Sequence, residues 1–235
     1  MDWLKRQDNA LYWLLGVNVG LFGLIMLLTA GLGLNAEGAW GLFLNLFGSV
    51  SRGEVFAGEV ARLVTANFLH ADLLHLASNM YGLWYLGEAV QRVFGRKWLF
   101  STYVITGVAA SVVTVAATPY PSVGASGAVF GLMGILIGAA LRRSRYGVDF
   151  PFDWRQILPL VLYSLWFGFL AGGTINNWAH IGGLAVGGLM GYLLPRRDIN
   201  SHVFWGRDVA FYFSVVLVVV CYILQGIFIF STLRA

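Results

Sequence analysis

Long stretches without a charged residue constrain this chain more than any other feature. The first extends from residue 11 to residue 34 and contains no Asp, Glu, Lys or Arg. A helix of about 20 apolar residues crosses the roughly 30 Å hydrocarbon core of a bilayer. Hydrophobic residues make up 58% of the sequence and charged residues 11%, against about 45–50% and about 25% in soluble domains. We therefore predict an all-α polytopic membrane protein, and the composition excludes a water-soluble fold.

Seven predicted spans follow one another along the chain, and six of them contain no charged residue. The second is the most polar, because it carries His75, Asn79 and Glu88. The longest uncharged stretch is interrupted by glycine, threonine and asparagine residues around 172–177 and therefore divides into two spans. The predicted spans are 11–34, 73–90, 98–118, 122–141, two within 157–195, and 209–233.

The basic residues indicate which ends of these spans face the cytoplasm, because Lys and Arg are in excess on that side. A cytoplasmic N-terminus leaves only Arg52, Arg62 and Arg234 of the 15 Lys and Arg residues outside. The same alternation explains the net charge of +4 without a basic groove for nucleic acid. We predict a cytoplasmic N-terminus at 1–10, a six-helix core at 11–195 with an interfacial first loop at 35–69, a cytoplasmic loop at 196–208 and an additional C-terminal transmembrane helix at 209–235.

Polar side chains inside predicted spans are candidates for function, because hydrocarbon makes them costly. His70, His75 and His180 lie at or near the outer ends of the second and sixth spans, and Ser126 lies near the start of the fourth. His202, the remaining one of the four histidines, lies in the loop before the seventh span, where we expect a solvated surface role. Four polar groups from three spans are therefore expected at one face of the membrane and at similar depth.

Ser126 lies between Gly124 and Gly127, and these glycines allow a substrate to approach the serine hydroxyl and N–H group. If a helix begins near Ser126, its free N–H groups and dipole also favour a developing oxyanion. A serine in a membrane helix more often serves helix packing, so this residue alone does not identify a nucleophile. The pattern also differs from the G-x-S-x-G motif of soluble hydrolases, because residue 128 is alanine and no strand precedes it.

His180 is the candidate base for Ser126. Glycines on its helix face and on the fourth span would let the two helices approach closely enough for a hydrogen bond between the two side chains. In the alternative interpretation, His180 donates to a backbone carbonyl and serves packing only. The glycines are Gly183, Gly187 and Gly191 in the sixth span, and Gly127, Gly131, Gly134 and Gly138 in the fourth.

The sequence offers no carboxylate for a catalytic triad, since none of its 11 Asp and Glu residues falls in the fourth or sixth span. We therefore predict a dyad of Ser126 and His180, with Phe130 one turn after the serine and placed to pack on the imidazole. His75 and Asn79 are four residues apart and share a helix face. Both can donate hydrogen bonds, as an oxyanion hole requires.

At these positions the sequence resembles the rhomboid family of intramembrane serine proteases. The matching motifs are His70-x4-His75-x3-Asn79 in the second span, Gly124-Ala125-Ser126-Gly127 at the start of the fourth, and Ala179-His180-x2-Gly183-x3-Gly187 in the sixth. Segments 62–65 and 85–87 also follow the family's pattern, so the resemblance extends over about residues 62–194. It implies a six-helix core, with the seventh span as an extra helix that some members carry.

The resemblance also implies a role for each site residue. Ser126 would be the nucleophile and His180 the general base, while His75, Asn79 and the Ser126 N–H would form the oxyanion hole. Two positions depart from the family: Phe130 stands where many members have Tyr, and Gln91 where an acidic residue is common. The supporting residues are His70, Gly124, Gly127 and Phe130.

The implied reaction is hydrolysis of a peptide bond in a transmembrane segment through an acyl-enzyme. Substrate would reach the site laterally from the bilayer, past the fifth span and the loop at 175–178. A single cysteine, Cys221, leaves no Cys-based metal site, and we predict no metal and no cofactor. We expect transmembrane proteins and the lipid bilayer as partners; the sequence does not determine the oligomeric state. The expected location is a prokaryotic plasma membrane, with the C-terminus and the site toward the extracytoplasmic face.

Two other functions would also place polar groups in membrane spans. A non-catalytic rhomboid-like protein would bind transmembrane segments without cutting them, and this predicts loss of the serine or histidine, both of which are present. A transporter would show paired charges or corresponding broken helices in two halves, and neither pattern is visible in the sequence. Cleavage of a single-pass substrate by the purified protein would separate a protease from both alternatives.

Overall fold

The computed structural model of the chain describes residues 10–31, 36–145, 153–172, 175–193 and 205–234. These residues form ten α-helices, and a short 3-10 helix, Ala66–Phe68, follows the fourth of them. Most of the predicted cytoplasmic segments 1–10 and 196–208, with His202, lie outside the described residues. The helices are α1 (Ala10–Gly31), α2 (Ala36–Leu46), α3 (Arg52–Phe56), α4 (Arg62–Thr65), α5 (Leu73–Phe94), α6 (Arg96–Ala117), α7 (Ser126–Arg145), α8 (Trp154–Leu170), α9 (Asn177–Leu193) and α10 (Trp205–Thr232).

The predicted all-α class is confirmed within the described residues, where the β-structure is a single isolated bridge between Val50 and Ser122. The long helices α1 and α5–α10 lie at the seven predicted spans. Three apolar segments, Ala10–Gly31, Arg96–Ala117 and Gly206–Thr232, are long and apolar enough to cross a membrane. The other long helices are shorter or more polar, and two of them, α5 and α9, carry His75, Asn79 and His180 of the predicted site.

Helix α7 lies at the centre of the bundle and packs on α5, α6, α8 and α9. Its residues Leu132, Ile135 and Leu136 are almost completely buried, as expected for a helix with neighbours on every side. The helix begins at Ser126, later than the predicted start at 122, because Gly124 adopts a φ of +129° that interrupts helical geometry. This late start places Ser126 in the first turn of the central helix.

The first loop contains three short helices and the 3-10 helix. Its last part, residues 61–69, is largely buried inside the protein, while the interfacial position predicted for the loop stays a prediction. Arg62 is 1% exposed because its guanidinium pairs with Glu59 at 2.7 Å and donates to the carbonyls of Asn45 and Ser49 at 2.7 and 2.9 Å. A buried cation is stable only with such partners, so this arginine fixes the path of the loop beside the core.

Candidate active site

Two backbone connections position the loop that leads into Ser126. Ser122 and Val50 exchange both of their backbone hydrogen bonds, at 2.8 and 3.0 Å, and the Gly124 N–H donates to the Ala66 carbonyl at 2.9 Å. A side chain at residue 124 would have its Cβ 2.7 Å from the His75 ring. Only glycine therefore allows this loop to pass so close to His75 with a positive φ.

His180 lies in the first turn of α9, where its Nε2 is 2.9 Å from the Ser126 Oγ. The imidazole is buried and stacks on Phe130, with 4.1 Å between ring centroids and 5° between ring planes. The Nδ1 of His180 has no hydrogen-bond partner in the described part of the chain. Within the described residues, the geometry is that of a serine and histidine pair whose imidazole packs on an aromatic ring and has no carboxylate partner.

The approach of α7 and α9 depends on the glycines that the sequence singled out. A Cβ at Gly183 would overlap the Gly127 carbonyl, one at Gly187 the Gly131 carbonyl, and one at Gly191 the Ile135 carbonyl. The two backbones are thus in direct contact along the helices. This contact brings residues that are far apart in sequence, Ser126 and His180, within hydrogen-bond distance.

The loop of residues 118–125 that leads into Ser126, the serine loop, is faced from α5 by His75 and Asn79. The Ala71 N–H donates to His75 Nδ1 at 3.4 Å, which assigns the ring proton to Nε2, the atom on the Gly124 side. The Asn79 Nδ2 donates one hydrogen to the His75 carbonyl at 2.9 Å and keeps a second hydrogen available. Both side chains can therefore donate toward the same side of the serine loop.

His70 lies behind this pair, in the segment before α5. It is 1% exposed, and its ring packs edge-on against His75 at 5.2 Å between centroids. Burial lowers the pKa of His70 to about 3, and the neighbouring His75 acts in the same direction. His70 is therefore neutral at physiological pH, and its contact in the site is with the His75 ring.

Sequence reasoning did not identify Asn176 as a site residue. Its Nδ2 donates to Thr114 Oγ1 at 2.9 Å and to Ser122 Oγ at 3.2 Å, while its Oδ1 accepts from the Ala179 N–H at 3.2 Å. The side chain thus caps α9 and links it to α6 and to the serine loop. Asn is a favoured helix cap, and its place directly before α9 is the signal that could have identified it.

No group of three or more His, Cys, Asp or Glu side chains is arranged to hold a metal ion within the described ranges.

The family of this chain is shown by its match to the model of a known protein family. The Rhomboid domain model matches residues 57–197, which is more than half of the chain. The chain belongs to the rhomboid family.

Named rhomboid proteins share part of this sequence. The Rhomboid protease GluP of Bacillus subtilis is 37% identical over 60% of this chain, and the RHOMBOID-like protein 5 of Arabidopsis thaliana is 32% identical over 68%. The Putative rhomboid protease YdcA of Bacillus subtilis is 32% identical over 60% of this chain and 70% of its own length. The chain spans 27% of the length of GluP and 52% of that of the Arabidopsis protein.

Membership of the rhomboid family and the apolar helices make this chain an integral membrane protein. The matched residues contain the serine loop, α5, α7 and α9, which are the elements that form the site. The family and the polytopic helical fold predicted from the motifs are therefore confirmed. The roles of Ser126, His180, His75, Asn79 and Phe130 stay predictions.

Proposed function

We propose that this rhomboid family member is an intramembrane serine endopeptidase that cleaves transmembrane segments of other membrane proteins. The observation that carries the proposal is the 2.9 Å contact between Ser126 Oγ and His180 Nε2 at the first turn of α7. Two further donors, His75 and Asn79, face the same loop. The names of two relatives, Rhomboid protease GluP and Putative rhomboid protease YdcA, support the same activity.

In the proposed reaction, His180 Nε2 accepts the hydroxyl proton while Ser126 Oγ attacks the scissile carbonyl. The resulting oxyanion accepts hydrogen bonds from His75 Nε2, from Asn79 Nδ2 and from the Ser126 N–H. His180 then gives its proton to the leaving amine, and the acyl-enzyme forms. Water, deprotonated by His180, attacks the ester, and the carboxylic acid product and free Ser126 are released. No metal or cofactor takes part.

Labelling with a fluorophosphonate, which phosphonylates activated serines, tests the proposal. Folded wild-type protein in mild detergent should be labelled, and Ser126→Ala and His180→Ala should not. Ser101→Ala is the matched control, because Ser101 is a fully buried serine near the N-terminal end of α6. Labelling of Ser126→Ala at the wild-type level would contradict the proposal. A lack of labelling in all of the folded proteins would contradict it as well.

Cleavage completes the test. Purified wild-type protein, without added metal, should cut a single-pass reporter within its transmembrane segment, and Ser126→Ala should leave it intact. Binding of the reporter without cleavage would instead support a non-catalytic rhomboid-like protein. A product cut only in a soluble loop of the reporter would contradict cleavage within the membrane.

We further propose that the N-terminus is cytoplasmic, that the site faces the outside, and that the membrane is a prokaryotic plasma membrane. The positive-inside distribution of Lys and Arg supports this orientation. In a Cys221→Ala background, a membrane-impermeant maleimide added to intact cells should label Phe56→Cys but not Arg92→Cys. Both positions are exposed, one in the first loop and one at the opposite end of α5. The reverse labelling pattern would contradict this orientation.

A further inference from the structure

The seventh long helix, α10, carries one buried amide in an otherwise apolar segment. Gln225 is 4% exposed, and its Nε2 donates to the Leu46 carbonyl at the end of α2, at 2.8 Å. Its side chain also lies against Gly48, where an added Cβ would be 3.1 Å from Gln225. A buried amide in a membrane helix is costly unless it is hydrogen-bonded. The bond to Leu46 therefore specifies where α10 contacts the first loop.

Two aromatic side chains on the same face of α10 contact that loop as well. Tyr222 lies edge-on to Phe68 at 6.0 Å between ring centroids, and the Phe228 ring lies 5.6 Å from the Arg62 guanidinium carbon. Residues 222, 225 and 228 are spaced three apart and so occupy one side of the helix. This face of α10 packs on the part of the loop that the Arg62 hydrogen bonds make rigid.

The same part of the loop supports the serine. The Thr65 hydroxyl donates to the Gly48 carbonyl at 3.0 Å. This bond links Gly48, which Gln225 contacts, to Thr65 and therefore to Ala66, the residue that follows it. Ala66 accepts the hydrogen bond from Gly124, and Val50 pairs with Ser122. Hydrogen bonds and the chain between them therefore connect Gln225 to the segment directly before Ser126.

We propose that Gln225 is a positioning residue and that α10 acts through the first loop to set the position of the Ser126 hydroxyl. The inference rests on the proposed protease function and deepens it, because it assigns a role to the helix that lies outside the six-helix core. Gln225 touches neither Ser126 nor His180, so its effect is on the geometry of the nucleophile. Loss of the Leu46 bond leaves a partly buried carbonyl without this donor and loosens the loop.

The test uses the full-length protein with Gln225→Met, which keeps the length of the side chain and removes the donor. We expect the second-order rate constant for fluorophosphonate labelling of Ser126, and kcat for a reporter, to fall by about three- to tenfold, with KM unchanged. Ser214→Ala is the matched control, because the buried Ser214 hydroxyl donates only to Ala210 of its own helix. It should react at the wild-type rate.

Hydrogen exchange of the backbone gives a readout that does not depend on activity. The amides of Ser122 and Gly124 should exchange faster in Gln225→Met than in wild type and in Ser214→Ala. Wild-type exchange at these amides, or an unchanged labelling rate for folded Gln225→Met, would overturn the inference. Absence of labelling in the wild type itself would instead contradict the protease function, and the exchange data would then decide the positioning role.

A second variant covers the case in which Gln225→Met does not fold. Phe228→Leu keeps an apolar side chain and removes the ring beside Arg62. We expect a smaller change in the same direction, about twofold to threefold in the labelling rate and in kcat. An effect on KM alone would contradict an action on the nucleophile.

Discussion

The imidazole of His180 lies parallel to the ring of Phe130, with 4.1 Å between centroids and 5° between planes. Within the described residues, no hydrogen bond restrains the His180 Nδ1, which a carboxylate restrains in a catalytic triad. The stacking contact and the bond to Ser126 are thus the interactions that set the ring's orientation. This contact, two further relationships in the site and the buried His70 behind it lead to measurable expectations.

Removal of the stacking contact should impair the base. Phe130→Leu replaces the ring with a flexible apolar side chain, and we expect kcat to fall by about two- to tenfold, since an aromatic contact contributes about 0.5–1.5 kcal/mol beyond burial. Phe130→Tyr keeps the ring and should retain most of the activity. The measurement is kcat on a transmembrane reporter. Equal activity of Phe130→Leu and wild type would show that the ring does not orient His180.

The Asn79 amide should act on the transition state. Asn79→Ala removes a donor that faces the serine loop, and loss of one oxyanion donor costs about 10²–10³ in turnover. We expect this loss in kcat with little change in KM. Ser78→Ala is a close control, because the Ser78 hydroxyl donates to the same His75 carbonyl from the exposed side of α5. Similar rates for the two variants would exclude Asn79 as an oxyanion donor.

The contact between α7 and α9 should tolerate no added methyl group at its centre. Gly187→Ala would overlap the Gly131 carbonyl and force the helices apart, at a cost of about 1–3 kcal/mol in the free energy of unfolding. Gly188→Ala, one residue later, meets nothing closer than 3.8 Å and should be neutral or slightly stabilising.

Thermal unfolding in detergent compares these two glycine variants directly. We expect a lower Tm for Gly187→Ala and a Tm at or above the wild-type value for Gly188→Ala. Separation of α7 from α9 also lengthens the Ser126–His180 contact. The labelling rate of Gly187→Ala should therefore be lower than that of wild type even at temperatures below its Tm. Identical Tm values for the two variants would contradict direct backbone contact.

Protonation of His70 should destabilise the fold in acid. The folded-state pKa, lowered to about 3 by burial, is below the unfolded value of about 6.5, so the unfolded chain binds the proton first as the pH falls. The free energy of unfolding should therefore decrease by up to about 1.4 kcal/mol per pH unit as the pH falls below about 6.5 toward 3. Above about pH 6.5 the two states bind the same number of protons at this residue.

Substitution isolates the His70 contribution from that of the other histidines. His70→Gln stays neutral, so its Tm should decline less steeply than that of wild type between about pH 6.5 and pH 4. His202→Gln, which changes a residue that the sequence places in the loop before the seventh span, should keep the wild-type slope. A wild-type slope in His70→Gln would show that His70 does not titrate on unfolding in this range.

Much of the candidate site follows from short-range sequence patterns. Ser126 with its flanking glycines, His180 with Gly183 and Gly187, and the spacing of His75 and Asn79 are local features that a one-dimensional pattern preserves. The roles of Asn176 and Gln225 are not visible in this way. Asn176 bonds to Thr114 and Gln225 to Leu46, and in both cases the two residues are far apart in sequence. Sequence periodicity does not reveal such pairs.

The sequence by itself determined the fold class, the family and the approximate position of every long helix, because hydrocarbon length and helical periodicity act on contiguous residues. Only the tertiary structure decided that α7 begins at Ser126, that the first loop is buried around Arg62, and that α10 contacts this loop through Gln225. These features depend on which distant backbone carbonyls accept hydrogen bonds from buried donors. That pairing is settled by packing in three dimensions, since each buried polar group must find a partner wherever the fold provides one.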